Sequence, residues 1–216
     1  MNRLNRSWFV LSFIVALVAA AVNVWGYRYL PEQIPLHWNI AGEVDRYGSR
    51  HMQILLGLLP LGVTLLMAWL PKIDPKFESY EKHARAYGIF ALLIVTTISV
   101  MTVVALLAGM GRQVNIPQVM SWSLGLLFIF MGNFMSQIRP SWFVGIRTPW
   151  TLASEETWRK THRFGGVVYI IMGLVILISG FLKPQWSFYL VMTALVGGTV
   201  LPAVYSYLDY RKRVNR

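Results

Sequence analysis

No cysteine occurs anywhere in this chain of 216 residues, which excludes disulfides, thiolate metal sites and thiol nucleophiles together. Charge is nearly as scarce. Only 13% of the residues are Asp, Glu, Lys or Arg, against 56% hydrophobic and 14% aromatic. A soluble core cannot hide that much apolar surface, and a bilayer is the solvent that suits it. Ser-rich linkers, low-complexity tracts and clear internal repeats are missing too, so residues 1–216 are read as one polytopic membrane domain.

The few charges fall in clusters, and between them lie six uncharged stretches of roughly bilayer-spanning length. These are Trp8 to Trp25, Met52 to Leu70, Tyr87 to Met110, Val119 to Ile138, Phe164 to Leu182 and Phe188 to Leu208, and none contains Asp, Glu, Lys, Arg or His. They are apolar on every face and about twice the length of a barrel strand, so helices are expected rather than a β-barrel. The predicted fold class is an all-α integral membrane protein with six transmembrane helices, in which Ala105 with Gly109, Ser121 with Gly125, Gly132 with Ser136 and Ala194 with Gly198 have the small-xxx-small spacing expected of packed helices.

Orientation follows from Lys and Arg, which cytoplasmic loops retain. With the N-terminus inside, fifteen of the 20 Lys and Arg residues fall on the inner side and five (Arg28, Arg46, Arg50, Arg112 and Lys183) on the outer. Both termini are therefore placed on the cytoplasmic side of the membrane. The net charge of +11 is accounted for by this topology and by anionic lipid, without direct nucleic-acid binding. Arg3, Arg6 and Ala19-Ala20-Ala21 mimic a cleavable signal peptide, but the apolar run continues through Val22, Val24 and Trp25 and is read as a retained anchor.

Two loops of about 25 residues stand out, since loops this long usually carry function. In the outer one, 27–51, Pro31 and Pro35 forbid a helix. Ile34 to Asn39 suits an extended segment, Ala41-Gly42 a turn with Gly42 at positive φ, and Glu43 to Tyr47 a returning strand, which together predict a small β-hairpin cap. Trp38 and Tyr47 either seat this cap on the membrane or meet a ligand from outside. His37 with Asp45, Glu32 or His51 matches no established ligand spacing, so neither a metal nor a cofactor is expected.

In the inner loop, 139–163, Thr151 or Ser154 suits a helix cap, Glu155 and Glu156 suit the first turn, and Glu155–Arg159 and Glu156–Lys160 have i,i+4 spacing. Trp158 and His162 then share a face. An amphipathic interface helix leading into the fifth span explains this pattern, with Trp150 and Trp158 as headgroup anchors. In the turn before it, Arg147, Thr148 and Thr151 suit a phosphate or a partner carboxylate.

The segment Ile34-Pro-Leu-His-Trp-Asn-Ile-Ala-Gly-Glu-Val-Asp-Arg-Tyr-Gly48 resembles the signature of a bacterial membrane domain of unknown function that commonly begins SdpI-like proteins. The segment Gly145-Ile-Arg-Thr-Pro-Trp-Thr-Leu152, followed by Glu156, Trp158, Lys160-Thr-His-Arg163 and Gly165, resembles the SdpI signature itself. One departure is Ser141-Trp142, where that pattern has Asn before an aromatic residue. The resemblance implies immunity to the sporulation-delaying protein toxin of Gram-positive bacteria, and a partner in a small cytoplasmic winged-helix repressor held at the membrane. On that reading His37, Trp38, Asn39, Asp45, Arg46 and Tyr47 face the toxin, while Arg147, Thr148, Pro149, Trp150, Thr151, Glu156, Trp158, Arg159 and His162 form the inner partner-binding signature.

Two rival classes carry less. A secondary transporter needs ionisable groups or broken helices near the midplane, whereas the notable polar residues of the spans are Asn23, Asn133, Ser136 and Gln137. An orphan envelope-stress protein would share the fold without a toxin. Arg147, Glu155, Glu156 and His162 form no established catalytic motif, so no catalytic residue is assigned and an enzyme is not expected.

Overall fold

A computed structural model describes residues 3–215, with side chains from residue 6 onward; of the charges counted for orientation, the Arg3 side chain and Arg216 lie outside the described residues. The chain runs α1 (Arg3–Tyr27), β1 (Gln33–Trp38), β2 (Val44–Ser49), α2 (His51–Ile73), α3 (Phe77–Lys82), α4 (Ala84–Gly109), α5 (Ile116–Met135), α6 (Pro149–Ala153), α7 (Glu155–Ser179) and α8 (Pro184–Val214). Six of these helices, α1, α2, α4, α5, α7 and α8, are long and apolar enough to cross a membrane. They coincide with the six uncharged stretches, and the protein is a multi-pass membrane protein. Each apolar run extends into flanking polar sequence. The longest extensions are at the inner ends of α7 and α8, where Glu155 to Arg163 and Asp209 to Val214 continue the helices beyond the uncharged residues.

The hairpin forms as the turn chemistry dictates. β1 and β2 pair antiparallel, with Gln33 opposite Ser49 and Trp38 opposite Val44. Asn39 organises the turn, its Oδ1 accepting from the backbone N–H groups of Ala41 and Glu43 at 2.9 and 3.0 Å, and Gly42 takes φ 78°. The cap is seated by Leu30 and Ile34, both buried against Leu106 of α4. A Cβ on Gly109 would meet Leu30 at 2.8 Å, so α4 ends on a glycine where the cap lies closest.

The helices pack in two groups. In the first, α1, α2 and α4 surround a buried polar knot: Gln53 Nε2 donates to Asn23 Oδ1 and to the Thr102 carbonyl (2.9 Å), and Asn23 Nδ2 donates to the Ala19 carbonyl at 2.7 Å. Gly57 makes room for it, since a Cβ there would lie 2.5 Å from that of Asn23. Asn23 was legible as a polar residue in a span, whereas Gln53 and Thr102 escaped notice. None of the three ionises, so the knot is interhelical glue, each bond worth about 1 kcal/mol or less in lipid.

In the second group α5 lies along α7, and α8 packs on α7. Four glycines let α5 and α7 touch backbone to backbone. A Cβ on Gly125 would sit 2.8 Å from the Gly173 carbonyl oxygen, one on Gly173 2.6 Å from that of Gly125; on Gly132 it would sit 2.6 Å from the Gly166 carbonyl, and on Gly166 2.8 Å from that of Gly132. The two contacts are seven residues apart on each helix, so they recur on one face of an antiparallel pair. Lipid supplies no hydrophobic drive for helix association, and close backbone approach of this kind is what replaces it. The expected Ser121–Gly125 and Gly132–Ser136 spacings thus find their partner in α7 at the glycine of each pair. Gly198, expected to act with Ala194, instead admits the Met172 side chain.

Adding a methyl group at Gly132 must push backbone against backbone. Gly132→Ala should lower the melting temperature in detergent by several degrees, consistent with the roughly 1–3 kcal/mol cost of overpacking. Gly197→Ala, where no atom lies within 4 Å, should leave it unchanged or raised. Equal effects at the two positions would show that the α5–α7 contact does not hold the fold.

Candidate functional site

Two places combine shape with polar chemistry, one at each end of the α5–α8 group. Outside, the hairpin leans over the first turns of α5 and α8, and Gly42 approaches Pro117 and Pro184, each in the first turn of its helix. Between them lies a cleft of about 330 Å³, walled by Trp38, Ile40, Pro117, Met120, Phe188 and Met192, with Ser121 and Ser187 also lining it. The hydroxyls there have a fixed direction. Ser179 gives its proton to the Ile176 carbonyl at 2.7 Å, so it accepts from Ser187 at 3.2 Å, and Ser187 in turn accepts from Ser121 at 3.0 Å. Every proton is used within the chain, and the cleft offers a visitor mostly apolar wall.

Of the residues expected to face outward, His37, Trp38 and Asn39 line this cleft. Asp45, Arg46 and Tyr47 are exposed on β2, and Asp45 Oδ1 lies 2.6 Å from His37 Nδ1. The hairpin therefore brings the six residues to one cap, with Asn39 committed to shaping its turn. Among the described residues no cluster of His, Asp and Glu suited to a metal is present.

At the inner end the signature loop is a folded knot. Trp158 Nε1 donates to the Ile138 carbonyl at 2.8 Å, and its ring stacks on His162 with centroids 4.1 Å apart. His162 Nε2 accepts from the Ile146 N–H at 3.0 Å, which fixes the proton on Nδ1, and Nδ1 donates to the Trp158 carbonyl at 2.9 Å. Gly145, at φ 111°, passes over both rings where a Cβ would lie 2.5 Å from His162 Nε2. Thr148 and Thr151 form a reciprocal cap at the start of α6, and Thr148 Oγ1 meets Ser206 of α8 at 2.9 Å. Ser141, where the resemblance leads to the expectation of Asn, is buried and donates to the Val144 carbonyl at 2.8 Å. The hydroxyl thus closes this turn without an amide.

Several expectations for this loop need correction. Trp158, at 1% exposure, is not a headgroup anchor, because its indole N–H is consumed by the loop backbone. Thr151 and His162 are equally buried and present no surface to a partner. Ser154 caps α7, its Oγ accepting from the Thr157 N–H at 3.3 Å. Glu156 does pair with Lys160 at 3.4 Å, but it also binds Arg213 of α8, which in turn bonds Asp209 at 2.8 Å. The ion network therefore clamps α7 to α8, and Thr157 Oγ1 adds a bond to Asp209 at 2.9 Å. Arg147, whose guanidinium donates to the Trp142 carbonyl, Pro149 and Arg159 are exposed, and Trp150 is half-buried with its ring 5.0 Å from that of Tyr207.

A hub outside both signatures completes the site. Asp74, 3% exposed, accepts from the Lys76 N–H at 2.8 Å, the Tyr80 hydroxyl at 2.9 Å and the Trp142 N–H at 2.9 Å, tying the end of α2 to the signature loop. His83 Nδ1 accepts from the Arg139 N–H at 3.3 Å. An Asp-Pro pair at the end of a span was the available signal, but the α3 turn that folds Tyr80 back was not legible.

Comparison with known proteins agrees with the two signatures. Residues 137–206 match the SdpI/YfhL protein family, and residues 14–63 match a domain of unknown function (DUF1648). The chain is similar to Immunity protein SdpI of Bacillus subtilis (strain 168), with 24% identity over 206 residues that cover 94% of this chain and 96% of that protein. The resemblance to the SdpI family is thereby borne out. No solved structure matches.

Burial holds the His83 ring neutral and pushes its pKa down to about 4, with the nearby Arg139 guanidinium adding to the effect and the Ser79 carbonyl and Asp74 opposing it. A base whose folded pKa lies below its unfolded value contributes full stability above about 6.5, and this is lost as pH falls toward 4 by up to about 1.4 kcal/mol per unit. His83→Gln should therefore flatten the loss of melting temperature between pH 7 and pH 5. A slope identical to wild type would mean that His83 does not titrate against the fold.

Proposed function

We propose that this protein is an SdpI-like immunity protein which protects its cell by engaging a membrane-active peptide toxin at the outer cleft. The observation that carries the reading is the cleft itself: an apolar recess of about 330 Å³ at the outer membrane surface, with Trp38 in its wall and Asp45 and Arg46 exposed on the neighbouring strand. An apolar peptide arriving from outside meets this recess as it reaches the bilayer. A partly exposed Trp offers large contact area at low entropic cost, and flanking charges orient what they meet. Similarity to a protein named for immunity supports the same reading.

Signalling to a cytoplasmic repressor belongs to the opposite face, since a repressor touches only what the cytoplasm sees. The exposed Arg147 and Arg159 and the half-buried Trp150 are its proposed contacts, in place of the buried Trp158. α5 and α8 line the outer cleft with their first turns and reach the inner knot at their other ends, α5 just before Ile138 and α8 at Ser206, so a toxin that favours one arrangement of these helices biases the loop directly. The secondary-transporter reading gains no support from Asn23, Gln53 and Thr102, which carry no ionisable group for coupling.

The test is survival of a sensitive host expressing the chain and challenged with the toxin. Wild type should protect, and the variant with Trp38, Asp45 and Arg46 all replaced by Ala should lose roughly tenfold or more of that protection at unchanged membrane expression. Undiminished survival of the triple variant would overturn the outer cap as the toxin site.

A further inference from the structure

At the cytoplasmic end, a second cavity of about 540 Å³ opens between α3, the end of α5 and the start of α7. Its lining is amphipathic. Pro140 supplies apolar surface over the buried Ile138 and Trp158, while Lys82, Arg139 and Arg159 bring three cations together with the hydroxyls of Ser79 and Ser136. None of these three cations is ion-paired among the described residues. Two carboxylates also line the cavity. Glu156 is already held by Lys160 and Arg213, leaving Glu155 as the one carboxylate free to offset three positive charges.

We propose that this cavity binds the phosphate headgroup of an anionic phospholipid of the inner leaflet, with Lys82, Arg139 and Arg159 on the phosphate oxygens. Unpaired cations that converge on a recess leave a charge surplus that an anion relieves, and phosphate oxygens accept from guanidinium and hydroxyl donors alike. The apolar surface beside them suits the first carbons of acyl chains, which a free anion lacks. The position fits as well, because Ser136 and Ile138 directly follow the last turn of α5, where the span leaves the bilayer. Basic recesses between helices on the cytoplasmic side are where anionic headgroups are recognised. Lipid in this cavity would lie against Pro140 and the segment around Arg139, over the buried Trp158, and so would brace the inner knot from the membrane side.

The experiment uses the full chain purified in neutral detergent, with melting followed during titration of phosphatidylglycerol, phosphatidylcholine or inorganic phosphate. Phosphatidylglycerol should raise the midpoint by about 3 °C or more and phosphatidylcholine by much less. The variant K82Q/R139Q/R159Q should lose most of the phosphatidylglycerol shift. It retains the Arg139 backbone N–H that bonds His83, and therefore the known contacts of the fold. Should the triple variant fail to fold, the single changes Lys82→Gln and Arg159→Gln must each reduce the shift by about half. No effect of inorganic phosphate assigns the site to lipid, whereas a full shift with phosphate alone assigns it to a soluble phosphate. An equal phosphatidylglycerol shift in wild type and variants, or an equal shift with phosphatidylcholine, overturns the proposal. Because the readout is melting rather than toxin survival, its failure is distinct from failure of the immunity reading.

Discussion

The backbone contact of α5 with α7, made through Gly125, Gly132, Gly166 and Gly173, is the interaction around which the outer cleft and the inner knot are built. In a bilayer two helices gain little by touching unless small residues let them approach, and here carbonyl oxygens stand where a methyl group would go. The outer end of α5 lines the cleft beneath the hairpin, and the inner ends of α5 and α7 are joined by the signature loop. α8 is fastened to this pair at both ends, by Ser187 outside and by the Asp209–Arg213 network inside.

From that pair the inner loop acquires its shape. Trp158 and His162 project from the first turns of α7 and draw the chain after α5 over themselves, through the Ile138 carbonyl and the Ile146 N–H. Gly145 is required because the chain passes directly over the two rings. Asp74 extends the same knot to α2 and α3, so the loop connects both helix groups. A segment bonded this closely transmits a helix shift as a change of hydrogen-bond pattern rather than as loose motion.

How far the sequence revealed this can be followed residue by residue. The six spans were legible because hydropathy is a local signal. The hairpin was legible because prolines, Asn39 and Gly42 dictate a turn whatever surrounds them. Trp158 was misplaced for the opposite reason: beside Glu155, Glu156 and Arg159 it looks like an interface residue, and only the distant Ile138 carbonyl shows that it is buried. Glu156 carries the same lesson, since helical spacing identifies Lys160 but cannot identify Arg213 on another span. Small-residue spacing marked Gly125 and Gly132 without naming α7 as their partner, because a helix face does not reveal what lies against it. Asp74 and the inner cavity depend wholly on the fold-back of α3, which leaves no periodic trace in six residues.

On the proposed reading, a helix shift at the outer cleft reaches the inner knot through α5 and α8, which both pack on α7. Hydrogen exchange of the signature-loop amides, measured with and without peptide toxin added to the protein in lipid nanodiscs, tests it most directly. Exchange at the Trp142 and Ile146 N–H groups, held by Asp74 and His162, should change when toxin protects the hairpin. Protection of the hairpin with no change at these two amides would contradict the account.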